Sequence, residues 1–578
     1  MPRRTAALVC ALVTLVAAPA RGVLLDAGFG TGGRVQGTYD ANTNTGLSRG
    51  AGVVVEPVTG RIFVATERGA LARFLPDGTL DASFGTGGQV AVVDPAVRRL
   101  LMVVRQPTDG KLLVVGYALG PGSSHTGTVI RRYDADGNLD AGFGTAGEVA
   151  ISQPPHPSAV VGRADGTIVV AGNAWAFPRF PGVLLRFLAD GTPDASFGSG
   201  GVVVTGTTAG AGNLLPLALL EDGTGIIAGG TDDATFTLAR YLADGTLDAA
   251  FGTGGFVSTP FPAYPHNEIF DLVRQADGKI VAVGSAWLTA ARYLANGTLD
   301  ASYGSGGTFH SATGAGGQSF LDASGRIVVG GGNLLARLTD DGAYDPSFAP
   351  CLVAFDAWVR AGDNGVALQD DGKIVVVGSD YPGKALRIAR YVEGIATCQP
   401  ATARGAKLSV RPLRPGTALG DAGPKLKWSW KSSAAVALAD YGDPVADDAD
   451  GYTLCLLGTA STPDVAGTFR VLPNQAGSCM STNPNALSSC WRGTSSQYRR
   501  RYGVHGGATF DVKVRAGGPR AARIGVRALG DWAYAIPFPP YPAPVTVRFD
   551  RTPSPFCWEA TLSAPSRNDD TAFSGKSD

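Results

Sequence analysis

One motif returns seven times along this chain, and it constrains the fold more than any other feature. It reads Leu25-Asp26-Ala27-Gly28-Phe29-Gly30, then Leu80-Asp81-Ala82-Ser83-Phe84-Gly85, then Leu139-Asp140-Ala141-Gly142-Phe143-Gly144. Later copies are centred on Asp194, Asp248, Asp300 and Asp345. The Asp residues stand 55, 59, 54, 54, 52 and 45 positions apart. A period near fifty marks a repeat architecture, whose units bury their apolar faces only against one another.

The unit from Asp81 to Leu139 shows what repeats. Short apolar runs, Val90-Ala91-Val92-Val93 and Leu100-Leu101-Met102-Val103-Val104, lead to the turn Thr108-Asp109-Gly110. Lys111-Leu112-Leu113-Val114-Val115 returns, and Thr128-Val129-Ile130-Arg131-Arg132-Tyr133 closes the unit. Runs this short, rich in β-branched residues and bounded by Gly, Asp and Pro, are strands. Asp-Gly between two of them is a hairpin turn, because glycine reaches positive φ without a Cβ clash. No segment sustains a helical i, i+3, i+4 pattern. Four antiparallel strands per unit is the content of one propeller blade.

The last strand of each unit carries a second periodic mark, an Arg followed by an aromatic or Leu: Arg73, Arg132, Arg186, Arg240, Arg292, Arg337 and Arg390. The array starts at Leu25-Asp26 with no Arg-aromatic strand before it. It stops at Arg390-Tyr391 with no Leu-Asp corner after it. Each end lacks what the other supplies, and joining them removes two exposed sheet edges. The expectation is an all-β chain: a seven-bladed β-propeller of four-stranded blades over 25–397, closed by its N- and C-terminal strands. An open solenoid would need polar caps, and none is visible. The repeated Arg and Asp are expected to form buried, bidentate pairs that set the register between blades.

These repeats resemble the bacterial delta-60 repeat family, a β-propeller domain of unknown function. The motif Asp-Gly-x-Leu-Asp-x-x-Phe-Gly-x-Gly-Gly carries the likeness, as does Asp277-Gly278-Lys279-Ile280-Val281-Ala282-Val283-Gly284; the copy at Asp340-Asp341-Gly342-Ala343-Tyr344-Asp345 departs from it. The resemblance implies a propeller and no catalytic residues.

Residues 1–20 read as a signal peptide: Arg3-Arg4, an apolar stretch from Ala6 to Ala17 too short to span a membrane, and the small-x-small site Ala18-Pro19-Ala20. Export to the periplasm, the cell surface or the medium is expected. Six cysteines then remain, an even number that suits disulfides. By position the expected pairs are Cys351–Cys398, Cys455–Cys557 and Cys479–Cys490. With 49 Lys+Arg and 49 Asp+Glu, net charge gives no argument for nucleic acid or an anionic membrane.

Composition shifts near Ala396. Alternating runs such as Lys425-Leu426-Lys427-Trp428-Ser429-Trp430-Lys431 and Thr509-Phe510-Asp511-Val512-Lys513-Val514 put one face in a core and one in water. A β-sandwich over 400–565 is expected, with a fraying tail over 566–578. This stretch resembles a C-terminal region of secreted myxobacterial-type proteins in Cys490-Trp491, Tyr498-Arg499 and Cys557-Trp558-Glu559-Ala560; the resemblance implies no mechanism.

Candidate site residues are few. Variable loops on one propeller face carry Tyr117, Trp175, Phe177, Phe180, Tyr264, His266, Trp287 and Tyr381. Aromatic loops on a rigid scaffold suit a protein or polysaccharide partner. Asp134-Ala135-Asp136-Gly137 looks like the start of a calcium loop, yet turn chemistry explains it without a metal, so no cofactor is expected. His125, His156, His266 and His310 show no paired nucleophile. The reading is an exported, monomeric, non-enzymatic binding or scaffold protein. Two alternatives stand beside it: a polysaccharide hydrolase or lyase, for which Asp232, Asp233, Glu268 and Asp380 are the acids to check, and a purely structural surface protein.

Overall fold

The computed structural model describes residues 21–577 apart from 38, 41–44, 47–49, 68, 93–96, 120–124, 153–155, 174–181, 206–214, 233–234, 262–267, 285–287, 311–316, 332–333, 346–347, 349–352, 355–359, 380–384, 396, 402–404, 412–424, 438, 442–450, 458–464, 472–491, 495–496, 504–508, 519, 530–544, 553–555 and 570–571. Among the described residues the structure is all β, apart from a single 3-10 turn at Ala439–Tyr441. No helix of the described residues is long and apolar enough to cross a membrane.

The repeats fold into four-stranded antiparallel sheets. One consists of Val97–Arg105, Leu112–Leu119, His125–Tyr133 and Glu148–Ile151, in sequence order across the sheet. Four more follow the same order, the last ending at Val353–Ala354. Gly50–Val55, Ile62–Thr66, Ala70–Phe74 and Gln89–Ala91 make the corresponding sheet at the start of the array. Sheet boundaries and sequence copies are out of phase. The run around Val90, drawn above as the opening of a unit, pairs with Ala70–Phe74 of the preceding sheet. Each sheet is therefore assembled from two consecutive copies, because the Leu-Asp corner turns the chain back onto the strand it has just left.

The second strands Ile62–Thr66, Ile280–Gly284 and Ile374–Ser379 are buried along their whole length. This is the signature of sheets covered on both faces. Apolar clusters accordingly mix neighbouring sheets: Phe63, Leu71 and Phe84 pack with Leu100, Leu112 and Val129. The first strand of each sheet also contacts the first strand of the next, and Arg360–Leu368 contacts Gly50–Val55.

The chain ends of the array meet. Arg21–Leu25 pairs antiparallel with the last repeat strand, Leu386–Ile395, with Leu25 opposite Tyr391. Arg34–Gln36 pairs with the same strand at Arg387–Ala389. Asn364 bridges Gly52 in parallel, and Phe29, Val64 and Phe74 share a core with Val375, Leu386 and Ile388. Residues 1–20 lie outside the described residues.

The C-terminal region forms two sheets facing across one apolar core. The smaller contains Thr397–Pro400, Phe556–Leu562, Val545–Thr552, Gly451–Leu457 and Val465–Val471. The larger has eight strands, with Arg523–Leu529 and Lys425–Lys431 in its middle and Lys407–Arg411 beside them. Leu408, Trp428, Trp430, Val514 and Val526 of the larger sheet pack on Val547, Phe549 and Trp558 of the smaller. The tail expected to fray does not. Arg567–Asp569 and Ala572–Lys576 are strands, and the second pairs with Lys407–Arg411. Phe573 is fully buried in the core, which holds down a segment whose overall polarity pointed the other way.

Candidate functional site

Each repeat is tied to the next through one arginine. In all seven copies Arg Nε donates to Oδ2 of the Asp eight residues on, or of Asp26 for Arg390, at 2.7–2.9 Å. The guanidinium lies over the ring of the same corner, Phe29, Phe84, Phe143, Phe197, Phe251, Tyr303 or Phe348, at 4.4–4.9 Å from its centroid. This is cation–π geometry. The pair is not the two-oxygen fork expected from sequence. Nε of Arg390 and Arg240 is joined by Nη2 on the same carboxylate oxygen. The other oxygen, Oδ1, accepts the backbone N–H two residues on, as at Gly28 (3.0 Å) and Ser83 (3.1 Å). The corner turn needs that acceptor, so the carboxylate divides its oxygens between turn and arginine.

The arginine also reaches the neighbouring repeat. Nη1 of Arg73, Arg132, Arg186, Arg240, Arg292 and Arg390 donates to the carbonyl of Ala135, Ala189, Ala243, Ala295, Asp340 and Pro76. Each acceptor lies three residues after the next repeat's own arginine. Beside it a corner glycine N–H donates to the following carbonyl of the same turn, as from Gly85 to Asp136 (3.0 Å) and Gly30 to Asp77 (2.7 Å). The turn glycine rests on the ring: a Cβ on Gly137 would stand 2.9 Å from Phe84. Arg337 is the exception. The chain does not turn after Arg390 but runs on, and Arg337 Nη1 meets the carboxylate of Glu393 instead. Val23 and Leu25 pack against the cluster that holds Phe348.

The carboxyl pKa is lowered at six of the corners, Asp26, Asp81, Asp140, Asp194, Asp248 and Asp300. The Ser302 hydroxyl, then its N–H and Arg292, outweigh burial and bring Asp300 down to about 2. Ser83 and Ser196 act likewise on Asp81 and Asp194, and Lys111 (2.8 Å) leads the lowering of Asp140. One carboxyl behaves oppositely. Asp271, on Ile269–Arg274, accepts from the N–H (2.6 Å) and hydroxyl (3.0 Å) of Ser319 in the next sheet and from Leu272 N–H. Its residue surface is only partly covered, but the carboxyl is enclosed between strands, and desolvation pushes its pKa up to about 6. Sequence reasoning passed over Asp271; the available signal was a lone acid inside the apolar run Ile269-Phe270-Asp271-Leu272-Val273.

Of the expected ligand-face residues, Tyr117 is described. It lies inside the strand Leu112–Leu119 and is buried, not in the loop beyond, because that strand runs several residues longer than Ile62–Thr66. Trp175, Phe177, Phe180, Tyr264, His266, Trp287 and Tyr381 lie outside the described residues, as do Asp233 and Asp380. His310 is exposed on Thr308–His310. Asp134 accepts from the N–H groups of Asp136 and Asn138 (2.9 and 2.8 Å), which is turn geometry. Among the described residues no group of three or more His, Cys, Asp or Glu could hold a metal ion.

Cys557 is buried and disulfide-bonded. Thr397–Pro400 runs parallel to Phe556–Leu562 with Cys398 opposite Cys557 in the ladder. Cys455 sits opposite Arg548, with the whole strand Val545–Thr552 between it and Cys557. Two strand spacings of about 4.8 Å exceed the roughly 7 Å limit on Cα separation in a disulfide, so the register opposes the expected Cys455–Cys557 pair. Cys351, Cys479 and Cys490, and with them the other two expected pairs, fall outside the described residues.

Against this geometry the comparisons are informative about class. Residues 59–84, 108–143, 163–197, 222–251, 275–303 and 369–391 match the family described as a domain of unknown function (DUF5122) beta-propeller. The first five matches begin near the hairpin turn and end on the corner aromatic, so they coincide with the part of the unit that makes the arginine tie. These segments are thus similar to β-propeller repeats of uncharacterised function. Among solved structures, Raptor of Chaetomium thermophilum aligns at 11% identity over 60% of this chain and 28% of its own, TM-score 0.39. The Dos1 propeller aligns at 10% identity over 61% of this chain and 80% of its own, TM-score 0.37. Among curated proteins none matches.

Proposed function

We propose that the repeats close into a seven-bladed ring and that the protein is an exported, non-enzymatic binding or scaffold protein, whose partner docks on the variable-loop face of that ring. The observation that carries the reading is the Arg390–Asp26 tie. It repeats, between residues at opposite ends of the array, the bond that every other copy makes within itself. The unbroken succession of first-strand contacts supports the same reading. A propeller over 25–397 would be followed by a β-sandwich as an accessory unit. A scaffold spent on invariant ties at one face leaves the loops of the other free to vary, which is where recognition concentrates.

Binding of the mature protein to an array of neutral glycans and cell-wall fragments tests the loop face, beside a Trp175→Ala, Trp287→Ala double variant. A hit abolished in the variant supports a carbohydrate partner. Absence of any hit by folded protein removes the carbohydrate version and leaves a protein partner, to be sought by crosslinking at the same loops.

A further inference from the structure

The eight-stranded sheet has two unlike faces. One is the core described above. On the other, strand alternation turns outward Lys407, Lys427, Lys431, Lys513, Arg515, Arg523, Arg527 and Lys576, all exposed. The register sets them in rows across the strands. Arg515, Arg523 and Lys431 stand side by side on three successive strands. The next row runs Lys513, Gly525, Ser429, Lys407, Lys576. The third runs Arg527, Lys427, Ser409 and Ser574, with Asp511 opposite Arg527 as the acidic position of the three. None of the eight cations makes an ion pair among the described residues. The chain's zero net charge conceals this face.

Such a face works against the fold. Like charges directly opposite one another in a ladder destabilise it. Here they recur at Arg515/Arg523, Arg523/Lys431, Arg527/Lys427 and Lys407/Lys576. The core behind them would pack equally well with neutral residues at these positions. A local rule broken repeatedly without structural gain marks a working surface.

We propose that this face binds an anionic polysaccharide. The chemistry of the surface selects among polyanions. No aromatic side chain stands in the three rows, so bases have no stacking platform. The middle of a broad sheet cannot enter a DNA groove, which admits a helix or a two-stranded ribbon. No apolar residue in these rows is available to enter a bilayer, and a peptide would add to a sheet edge rather than lie across its face. What remains is a flexible chain of carboxylates or sulfates lying along the rows. Gly525, where an added Cβ would meet nothing within 4 Å, and Ser429 make the shallow middle of the trough.

The test is titration of the full mature chain with polygalacturonate at increasing salt, beside the reversal variant Arg515→Glu/Arg523→Glu/Lys431→Glu and its neutral counterpart with Gln at the same three sites. Binding at low salt is expected, with affinity falling linearly in log–log form as salt rises. The reversal variant should bind at least about tenfold more weakly and the neutral one several-fold, both with a shallower salt slope. Uncharged dextran should not compete. The proposal is overturned if folded protein ignores polygalacturonate, or if both variants bind as the parent does. It is also overturned if a DNA duplex or phosphatidylglycerol vesicles bind more tightly and lose binding in the same variants. Loop-face variants leave this titration unchanged, so the outcome is independent of the partner proposed for the ring.

Discussion

At Ala146 one methyl group occupies a place where five other copies carry glycine. Its φ is 53°, in line with 59–63° at Gly32, Gly87, Gly200, Gly254 and Gly306. A Cβ at Gly87 or Gly200 would meet nothing within 4 Å. The strain is therefore conformational, since an L-residue in this region costs roughly 1–2 kcal/mol, part of which glycine returns as unfolded-chain entropy. Ala146→Gly should stabilise the protein by about 0.5–1 kcal/mol, read as a higher urea midpoint at unchanged slope. Asp271 supplies the pH test. Its folded pKa, about 6, stands above the ordinary value of 3.8. Its favourable contribution is thus complete below about pH 4 and lost as pH rises through 6. Asp271→Asn should raise stability more at pH 8 than at pH 4.5; equal effects at both pH values would refute the assignment. Asp300 has the opposite sign: depressed to about 2, it supports the fold above its ordinary value and is lost only in stronger acid.

Between elements, the arginine tie decides whether neighbouring sheets dock. Arg186→Ala leaves Asp194 without its buried cation and vacates a donor to Ala243. A loss of about 3–5 kcal/mol is expected in denaturant unfolding. Arg186→Lys should recover little of it, because an ammonium cannot cover Phe197 while reaching two acceptors. Glu393→Ala, which removes a partly exposed acceptor from Arg337, should cost about 1 kcal/mol or less. A similar cost at both sites would sink the view that the carboxylate only stands in for a missing turn. Much of this was legible in the sequence. Arg73 and Asp81 face each other because eight residues close a hairpin, and both recur with the period. The rest was not. The acceptors on the next repeat are backbone carbonyls, which have no residue identity. The ring beneath each guanidinium was visible only as the Phe of the corner. The division of oxygens at Asp81 or Asp194 depends on turn geometry, and the placement of Phe573 depends on a strand partner more than 160 positions away.

For the whole molecule, the N-terminal strands carry a disproportionate role. Arg21–Leu25 and Arg34–Gln36 cover most of the last repeat strand. Their removal leaves a long, apolar, unpaired edge, the kind that recruits other chains. A form lacking residues 1–36 should self-associate, read as a concentration-dependent rise in mass by light scattering; a stable monomer would contradict the closure proposed above. The sequence announced that the two ends complement each other because each lacked a motif the other had. It was silent on the cationic sheet face, because whole-chain charge averages over surfaces that alternation along strands keeps apart.

The offset between sequence copy and folded sheet has a further consequence, for how such a chain can change over generations. A gene that gains or loses one copy adds or removes a segment starting midway through one sheet and ending midway through the next. Every sheet remains a composite of two copies, and every new junction is made by the arginine, aspartate and ring already present at all the others. Copy number can therefore drift without inventing an interface, whereas the strand that meets Glu393, unique in the array, must be inherited unchanged.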